Sequence, residues 1–253
     1  MEKERVLKST LAIIPARYAS TRFPGKPLVA VKGVPMVVRV LTQAGKVFDN
    51  VCVATDDIRI YETVVKAGGK AVMTSPNHKS GTDRCLEALQ KFSAQSGKNF
   101  EYVVNVQGDE PFIEKAQLLA LAHCFEDEEV EIATIAKPTT SEEDINNPNR
   151  PKVVVDNKMN ALYFSRSPIP YNRAEERDAP YLLHVGLYGY KAKSLERICS
   201  LSEGELERLE KLEQLRWLQN GIKIRVALCN CTSYGIDTPE DLQRIEQMDF
   251  NID

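Results

Sequence analysis

The sequence lacks the features that mark membrane and secreted proteins. Its 253 residues contain no apolar run near the ~20 residues that a membrane-spanning helix needs. The opening residues MEKERVLKST carry charge but not the apolar stretch of a secretory signal. We therefore expect a cytoplasmic chain without membrane insertion.

Histidine is scarce and the cysteines are scattered. Three histidines and six cysteines occur, with no CxxC pair and no spacing typical of structural zinc. Cys229 and Cys231 stand two apart and can share one face of a strand, a spacing that gives only weak support for a metal or redox role.

Acidic residues are absent from Arg5 to Val47, although the net charge of the chain is −3. The same stretch carries eight cations, namely Arg5, Lys8, Arg17, Arg22, Lys26, Lys32, Arg39 and Lys46. The negative total argues against a general nucleic-acid binder. The local excess of positive charge favours contact with a compact polyanion such as a triphosphate. The alternative is that these cations cluster by chance and lie on solvated faces.

Apolar segments alternate with helical patterns through the first half of the chain. Strands are predicted at 10–14, 51–54, 71–73, 102–106 and 131–136, and helices at about 35–47, 58–67, 83–95 and 115–125. This alternation predicts an α/β fold with a Rossmann-like, mostly parallel sheet flanked by helices.

The second half departs from this alternation. Strands predicted at 153–155, 161–164 and 182–190 indicate a smaller antiparallel insert at about 150–192. A helix at 205–219 with leucines on its apolar side, a strand at 222–228 and a helix at 239–248 follow. We expect one domain over 1–253.

The loop 13–28, IIPARYASTRFPGKPL, begins at the carboxyl end of the first strand, where open α/β sheets place their ligands. Arg17, Arg22 and Lys26 fall within ten residues of one another, a pattern suited to phosphates. It is not a Walker A loop, because Ser20 and Pro27 occupy positions that need Gly and Ser/Thr. GxGxxG is absent from the chain, and a solvated basic loop is the alternative.

One aspartate follows a predicted strand, and another precedes a predicted helix. Asp109 comes after the fourth strand, and a hard oxygen ligand there suits Mg²⁺, with helix capping as the alternative. Asp237 precedes Thr238 and Pro239, a good helix start. On local grounds alone, the helix dipole explains an acidic residue at that position.

The loop resembles the signature loop of the sugar nucleotidyltransferases, and closely that of the bacterial 3-deoxy-manno-octulosonate (Kdo) cytidylyltransferases. Further matching blocks follow in family order at 54–56, 78–84, 105–111, 163–166, 184–190, 212–216 and 235–242. Together they cover nearly the whole chain. Departures at Gly204-Glu205 and Asn149-Arg150-Pro151 touch none of the matched site residues.

The resemblance implies a Mg²⁺-dependent enzyme that transfers CMP from CTP to the anomeric hydroxyl of Kdo, giving CMP-Kdo and pyrophosphate for lipopolysaccharide synthesis. The implied catalytic residues are Arg17, Lys26, Asp109 and Asp237, the two aspartates being metal ligands. Implied nucleotide contacts are Ala16, Arg17, Arg22, Lys26, Thr55, Asp56, Ser80, Gly81, Arg84 and Gln107. Implied sugar contacts are Gln107, Arg166, His184, Tyr188, Glu213 and Gln214, with Arg166 as partner of the sugar carboxylate.

The resemblance further implies a homodimer, with the insert lining the sugar site and supplying the dimer contact. Residue by residue, blander interpretations stay open: Ser80 as an ordinary helix cap, His184 as a satisfied structural histidine, Glu213 and Gln214 as solvated helix positions. Two rival functions also stay open. One is a cytidylyltransferase for another acidic sugar, such as sialic acid or an amino-Kdo, and the other is a non-catalytic nucleotide-binding protein.

Overall fold

The computed structural model describes residues 2–19, 23–173, 180–231 and 234–248. The chain divides into two compact units. We call Leu7–Leu118 with Thr232–Asp253 the parallel unit, and Met1–Val6 with Leu119–Cys231 the mixed unit. The expectation of a single domain over 1–253 stays a prediction.

The secondary structure follows the predicted order. The strands are β1 Thr10–Ala16, β2 Ala30–Val31, β3 Val34–Pro35, β4 Val51–Thr55, β5 Ala71–Met73, β6 Tyr102–Asn105, β7 Ile132–Thr139, β8 Lys152–Val155, β9 Ala161–Ser165, β10 Tyr181–Lys191 and β11 Ile224–Leu228. The α-helices are α1 Glu2–Lys8, α2 Met36–Gly45, α3 Ile58–Lys66, α4 Gly81–Ser96, α5 Lys115–His123, α6 Glu142–Asn146, α7 Ala192–Cys199, α8 Glu205–Glu210, α9 Gln214–Gln219 and α10 Pro239–Glu246. Short 3-10 turns occupy Lys26–Leu28 and Cys124–Glu126.

The parallel unit is built on strands in the order β6-β1-β4-β5, all parallel. Every residue of β4 and β6 is buried, which explains their near-continuous apolar sequences. Helices α2 and α4 pack on β1. The carboxyl ends of β1, β4 and β6 therefore meet at one edge of the sheet, where the sequence predicted the ligand site.

A small apolar cluster fastens the segment 234–248 within the parallel unit. Its centre consists of fully buried Val31, Met36, Ile236 and Ile245, and Phe23, Phe112, Tyr234, Leu242 and Met248 pack around it. Since Ile236 precedes Asp237, this cluster fixes the position of the second predicted metal ligand.

The mixed unit combines parallel and antiparallel pairing. Strand β11 runs parallel to β7, whereas β10 pairs antiparallel with β7 and β8, and β8 pairs antiparallel with β9. The antiparallel strands predicted at about 150–192 are confirmed. Their role in a dimer stays a prediction.

The single helix predicted over 205–219 is wrong. Helix α8 ends at Glu210, the next residue Lys211 has a left-handed φ of 53°, and α9 begins at Gln214. The leucines recur every three residues, and because an α-helix turns 100° per residue, each step rotates the side chain by about 60°. They cannot share one face, and Leu209 is 66% exposed.

Other local features were also not predicted. Helices α1, α6 and α7 are short segments to which the sequence analysis assigned no helix. Cys229 and Cys231 follow β11 and are joined in a disulfide, so the expected shared strand face is wrong. No helix within the described ranges is long and apolar enough to cross a membrane.

Candidate active site

Lys26 joins the two predicted metal ligands. Its ammonium donates to Oδ2 of Asp109 at 2.9 Å and to Oδ1 of Asp237 at 3.1 Å. The Lys26 side chain is 15% exposed, whereas those of Asp109 and Asp237 are 33% and 48% exposed, so the carboxylates are open to solvent. Three residues from distant parts of the sequence thus form one charged centre in the parallel unit.

The main chain sets the spacing of the two aspartates. The Ile236 N–H donates to the Asp109 carbonyl at 3.0 Å, which aligns the two segments. Thr238 caps α10 by accepting from the Asp241 N–H, and the Asp241 carboxylate accepts from the N–H of Asp237 at 3.1 Å. The predicted cap, with Pro at the first helical position, is confirmed.

Gly108 makes a close backbone approach next to Asp109. A Cβ at this position would lie 2.8 Å from the Pro15 carbonyl oxygen, nearer than real Cβ contacts allow. The end of β1 and the turn that carries Asp109 therefore pack directly against each other, and only glycine fits.

The loop after β1 is closed at its neck. The Gly25 N–H donates to the Tyr18 carbonyl at 3.0 Å, and Gly25 has a φ of 72° that favours glycine. Lys26 follows this neck directly, whereas Arg17 precedes it and is exposed. The nucleotide contact predicted at Arg22 lies outside the described residues.

Asp56 and Arg84, both predicted nucleotide contacts, bind each other. The Arg84 guanidinium is 1% exposed and donates to Asp56 at 2.9 Å and to the Thr74 hydroxyl at 2.6 Å. Thr55, buried at the end of β4, accepts from the Asp57 N–H at 3.2 Å. Arg84 thus braces the turn after β4, and its contact with a nucleotide stays a prediction.

Ser80 caps α4, as its blander interpretation expected. Its hydroxyl accepts from the Asp83 N–H at 3.1 Å. Beside it, the Cβ position of Gly81 lies 3.7 Å from the Asn105 amide nitrogen. Asn105 is buried, and within the described chain its Oδ1 accepts no hydrogen bond. No role was predicted for Asn105 from the sequence. The signal that could have indicated one is a polar residue at the end of an apolar strand.

The remaining predicted nucleotide contacts also lie where strands end. Ala16 is the last residue of β1 and is buried, and Gln107 follows β6 by two residues. Together with the Lys26 centre, they place the predicted nucleotide contacts within the parallel unit.

His184 in the mixed unit is a neutral ring. Thr134 has one hydroxyl proton, and the Leu187 carbonyl at 2.8 Å can only accept, so that proton is committed to the carbonyl. The His184 Nε2, 3.0 Å from the same oxygen, must then be the donor. Burial lowers the pKa of His184 to about 3, which agrees with an uncharged imidazole.

Tyr188 lies in an aromatic neighbourhood with His184 and Trp217, and Gln214 is buried three positions before Trp217. The ring centroids of Tyr188 and Trp217 are 5.2 Å apart in an edge-to-face arrangement, and those of His184 and Tyr188 are 5.3 Å apart. Burial, and after it the Glu213 carboxylate, raise the pKa of Tyr188 well above its usual value. Trp217 was not predicted as a functional residue, although its position three residues after Gln214 on α9 was a usable signal.

Arg166 directs its guanidinium at main-chain oxygens. It donates to the carbonyls of Glu210 at 2.6 Å, Pro148 at 2.8 Å and Lys211 at 3.3 Å. The fully buried Lys152 ammonium donates to the Arg166 carbonyl at 2.6 Å. These contacts fix the turn after β9, and the expected partnership of Arg166 with a sugar carboxylate stays a prediction.

A partly buried ion pair joins α8 to α9. Arg216 donates to both carboxylate oxygens of Glu207, at 2.7 and 2.6 Å, in a bidentate arrangement. Its neighbours Gln214 and Trp217 are buried, whereas Glu213 is partly exposed. The interpretation of Gln214 as a solvated helix position is therefore wrong.

Comparison with known proteins decides the family. The family model described as cytidylyltransferase matches residues 11–224. The 3-deoxy-manno-octulosonate cytidylyltransferase of Phocaeicola vulgatus is 52% identical over 244 residues, covering 93% of this chain and 95% of that protein. The chain belongs to the 3-deoxy-manno-octulosonate cytidylyltransferase family. The family resemblance inferred from the sequence is confirmed.

A solved structure supports the fold. The CMP:2-keto-3-deoxy-manno-octonic acid synthetase complexed with CTP is 40% identical, with a TM-score of 0.86 over 94% of this chain and 96% of that one. The predicted α/β class, with a mainly parallel sheet flanked by helices and a small antiparallel part, is confirmed. A more distant relative, the 8-amino-3,8-dideoxy-manno-octulosonate cytidylyltransferase of Shewanella sp., is 44% identical, covering 94% of this chain and 98% of that protein.

Proposed function

We propose that this cytidylyltransferase moves CMP from CTP to the anomeric hydroxyl of 3-deoxy-D-manno-octulosonate, releasing pyrophosphate and giving CMP-Kdo for lipopolysaccharide synthesis. One observation carries the proposal: Lys26, Asp109 and Asp237 converge in a chain that is 52% identical to a named Kdo cytidylyltransferase. We also propose a cytoplasmic homodimer that uses the insert at about 150–192, on the family resemblance alone.

The basic loop binds the triphosphate in this proposal. Arg17 is exposed directly after the carboxyl end of β1, and Lys26 directly follows the Gly25–Tyr18 neck, so the two cations flank this hydrogen-bonded neck. Cations positioned in this way stabilise the negative charge that develops on the leaving pyrophosphate.

Mg²⁺ is the proposed cofactor, and the two aspartates fit it. In the described part of the chain no group of three or more His, Cys, Asp or Glu side chains could hold a metal. Mg²⁺ needs only one or two protein carboxylates, since waters and substrate phosphates complete its octahedron. Asp109 and Asp237 already point an oxygen each at one cation, the Lys26 ammonium. When bound, Mg²⁺ would lower the pKa of the acceptor hydroxyl and neutralise phosphate charge.

The sugar contacts in the mixed unit are largely uncharged. His184 is held as the Nε2–H form by Thr134, which leaves Nδ1 as an acceptor. Tyr188 keeps its proton because of its raised pKa, and Gln214 is buried on α9. Neutral donors and acceptors of this kind suit the hydroxyl groups of a sugar.

Pyrophosphate release tests the proposal. We expect release from CTP and Mg²⁺ that requires Kdo, is about a hundredfold or more slower with sialic acid, and stops when the metal is chelated. CTP binding seen by calorimetry without release in the presence of Kdo would contradict an enzymatic function and favour the non-catalytic rival.

A second acceptor has a specific observation in its favour, the 44% identity to a cytidylyltransferase for 8-amino-3,8-dideoxy-manno-octulosonate. The higher identity to the Kdo enzymes favours Kdo. The same assay with the 8-amino sugar decides, since the acceptor with the larger kcat/KM is the substrate.

A further inference from the structure

Polar groups on β10 and α9 of the mixed unit are buried. Within the described residues, the Tyr188 hydroxyl, the Gln214 Nε2 and the Trp217 Nε1 have no hydrogen-bond partner. Their residues are 8%, 4% and 1% exposed. A buried polar group without a partner typically costs the folded state its full desolvation free energy, so native proteins rarely keep several in one place without a use.

These groups are close neighbours. Gln214 and Trp217 are three positions apart on α9, where side chains at i and i+3 lie on the same face. Trp217 meets the Tyr188 ring edge-to-face at 5.2 Å between centroids. The Glu213 carboxylate contributes to the raised pKa of Tyr188, so it is also near.

The chemistry of the set indicates what it binds. An indole N–H and an amide Nε2 only donate, whereas the tyrosine hydroxyl both donates and accepts. A carboxylate here would be desolvated without a cation and would face Glu213, which is unfavourable. An ammonium would meet two groups that can only donate. An uncharged hydroxyl can accept from Trp217 or Gln214 and donate to Tyr188.

We propose that the Trp217 indole N–H is a specificity-determining donor that hydrogen-bonds an uncharged hydroxyl of the acceptor sugar, next to Gln214. The inference rests on the proposed function and deepens it by assigning a residue that the family blocks leave without a role. Because these three polar groups are buried, a sugar hydroxyl can reach them only if the surrounding residues shift locally.

The chain contains one tryptophan, so its emission reports this position alone. We expect saturable change in intrinsic fluorescence when the unmodified protein is titrated with Kdo, and none with sorbitol at equal concentration. If the protein turns Kdo over but its emission stays constant at saturating Kdo, the inference is overturned.

Trp217→Phe tests the donor itself. It keeps an aromatic ring against Tyr188 and removes the N–H, so the KM for Kdo should rise about threefold to tenfold, while the KM for CTP stays unchanged and kcat changes less than the KM for Kdo. Leu209→Ala, on the exposed side of neighbouring α8, is the matched control and should keep both KM values.

The outcomes separate the two proposals. An unchanged KM for Kdo in a folded Trp217→Phe variant overturns the role of the indole and leaves the proposed function standing. Absence of turnover by the unmodified protein with Kdo overturns the proposed function. Should the variant fail to fold, the fluorescence titration of the unmodified protein still decides.

Discussion

The two units use opposite means to build a binding surface. In the parallel unit, charges face charges: Lys26 binds Asp109 and Asp237, and Arg84 binds Asp56. In the mixed unit, the predicted sugar contacts His184, Tyr188 and Gln214 are uncharged and lie among aromatic rings, while the charged Arg166 is bonded to main-chain carbonyls.

The difference follows from what each unit is proposed to hold. A triphosphate with a divalent cation is recognised through charge, which also stabilises the transferring group. A sugar with many hydroxyls is recognised by paired neutral donors and acceptors, and buried groups left unpaired by a wrong sugar make that recognition strict. Substitutions in the two units should therefore impair the protein in different ways.

Asp109→Asn is expected to have the largest effect. It removes one of the two carboxylate charges that are proposed to hold Mg²⁺ and should lower kcat about a thousandfold or more. The fold should stay intact by circular dichroism. Asp49→Asn, an exposed position in the same unit, is the matched control and should leave kcat unchanged. Near-native activity of Asp109→Asn in the pyrophosphate assay would refute the metal assignment.

Arg84→Met should be the most destabilising change in the parallel unit. It leaves the Asp56 carboxylate without its buried partner, so the free energy of unfolding should fall by about 3 kcal/mol in urea titration. Arg244→Met breaks an exposed pair with Asp241 and should cost less than about 0.5 kcal/mol. Equal losses in the two variants would show that the burial of Arg84 is energetically unimportant.

Gly108→Ala tests the close approach between the Asp109 turn and β1. The added Cβ meets the Pro15 carbonyl at 2.8 Å, so the turn must shift, at a cost of about 2 kcal/mol and with a fall in kcat. Gly45→Ala in α2, where a Cβ meets nothing within 4 Å, should be neutral or slightly stabilising. A Gly108→Ala protein with unchanged kcat would mean that the position of Asp109 tolerates this shift.

His184→Gln should have the smallest effect of these substitutions, which is a change in how the free energy of unfolding depends on pH. With a folded pKa of about 3 against an ordinary 6.5, the unfolded chain binds a proton below pH 6.5 that the folded ring does not. This contribution to stability is complete above pH 6.5 and is lost as the pH falls toward 3, amounting to roughly 1 kcal/mol between pH 7.5 and 5.5. Urea unfolding of His184→Gln at the two pH values should show a correspondingly smaller difference.

The control for that measurement is His123→Gln, because the His123 side chain is 41% exposed. A His184→Gln variant with the same pH dependence as the unmodified protein would show that the ring titrates normally in the folded state.

The parts of the fold that were predictable are those with a local cause. Runs of buried apolar residues specify β4 and β6, and Thr238 followed by Pro239 specifies the start of α10. The basic loop at 13–28 could be predicted as a phosphate-binding loop because its cations and small residues are contiguous. Each of these signals is complete within a few residues of sequence.

The remaining parts depend on contacts between distant residues. Nothing near Lys26 in sequence indicates that its ammonium binds Asp237, and nothing near Arg84 identifies Asp56 as its partner. Repeated leucines suggested a continuous helix where the chain turns at Lys211. The sequence around Trp217 indicates only an ordinary apolar position, whereas in the structure its N–H is buried without a hydrogen-bond partner among the described residues.

The order of the charged centre along the chain has a consequence for synthesis. A ribosome makes Lys26 and then Asp109, 83 positions later, whereas Asp237 comes 211 positions after Lys26. A growing chain folds from its first residues onward, so the parallel strands can assemble while the second carboxylate is still to be made. An unfinished polypeptide therefore carries Lys26 and Asp109 but lacks the second carboxylate, so the charged centre is complete only when synthesis is nearly finished.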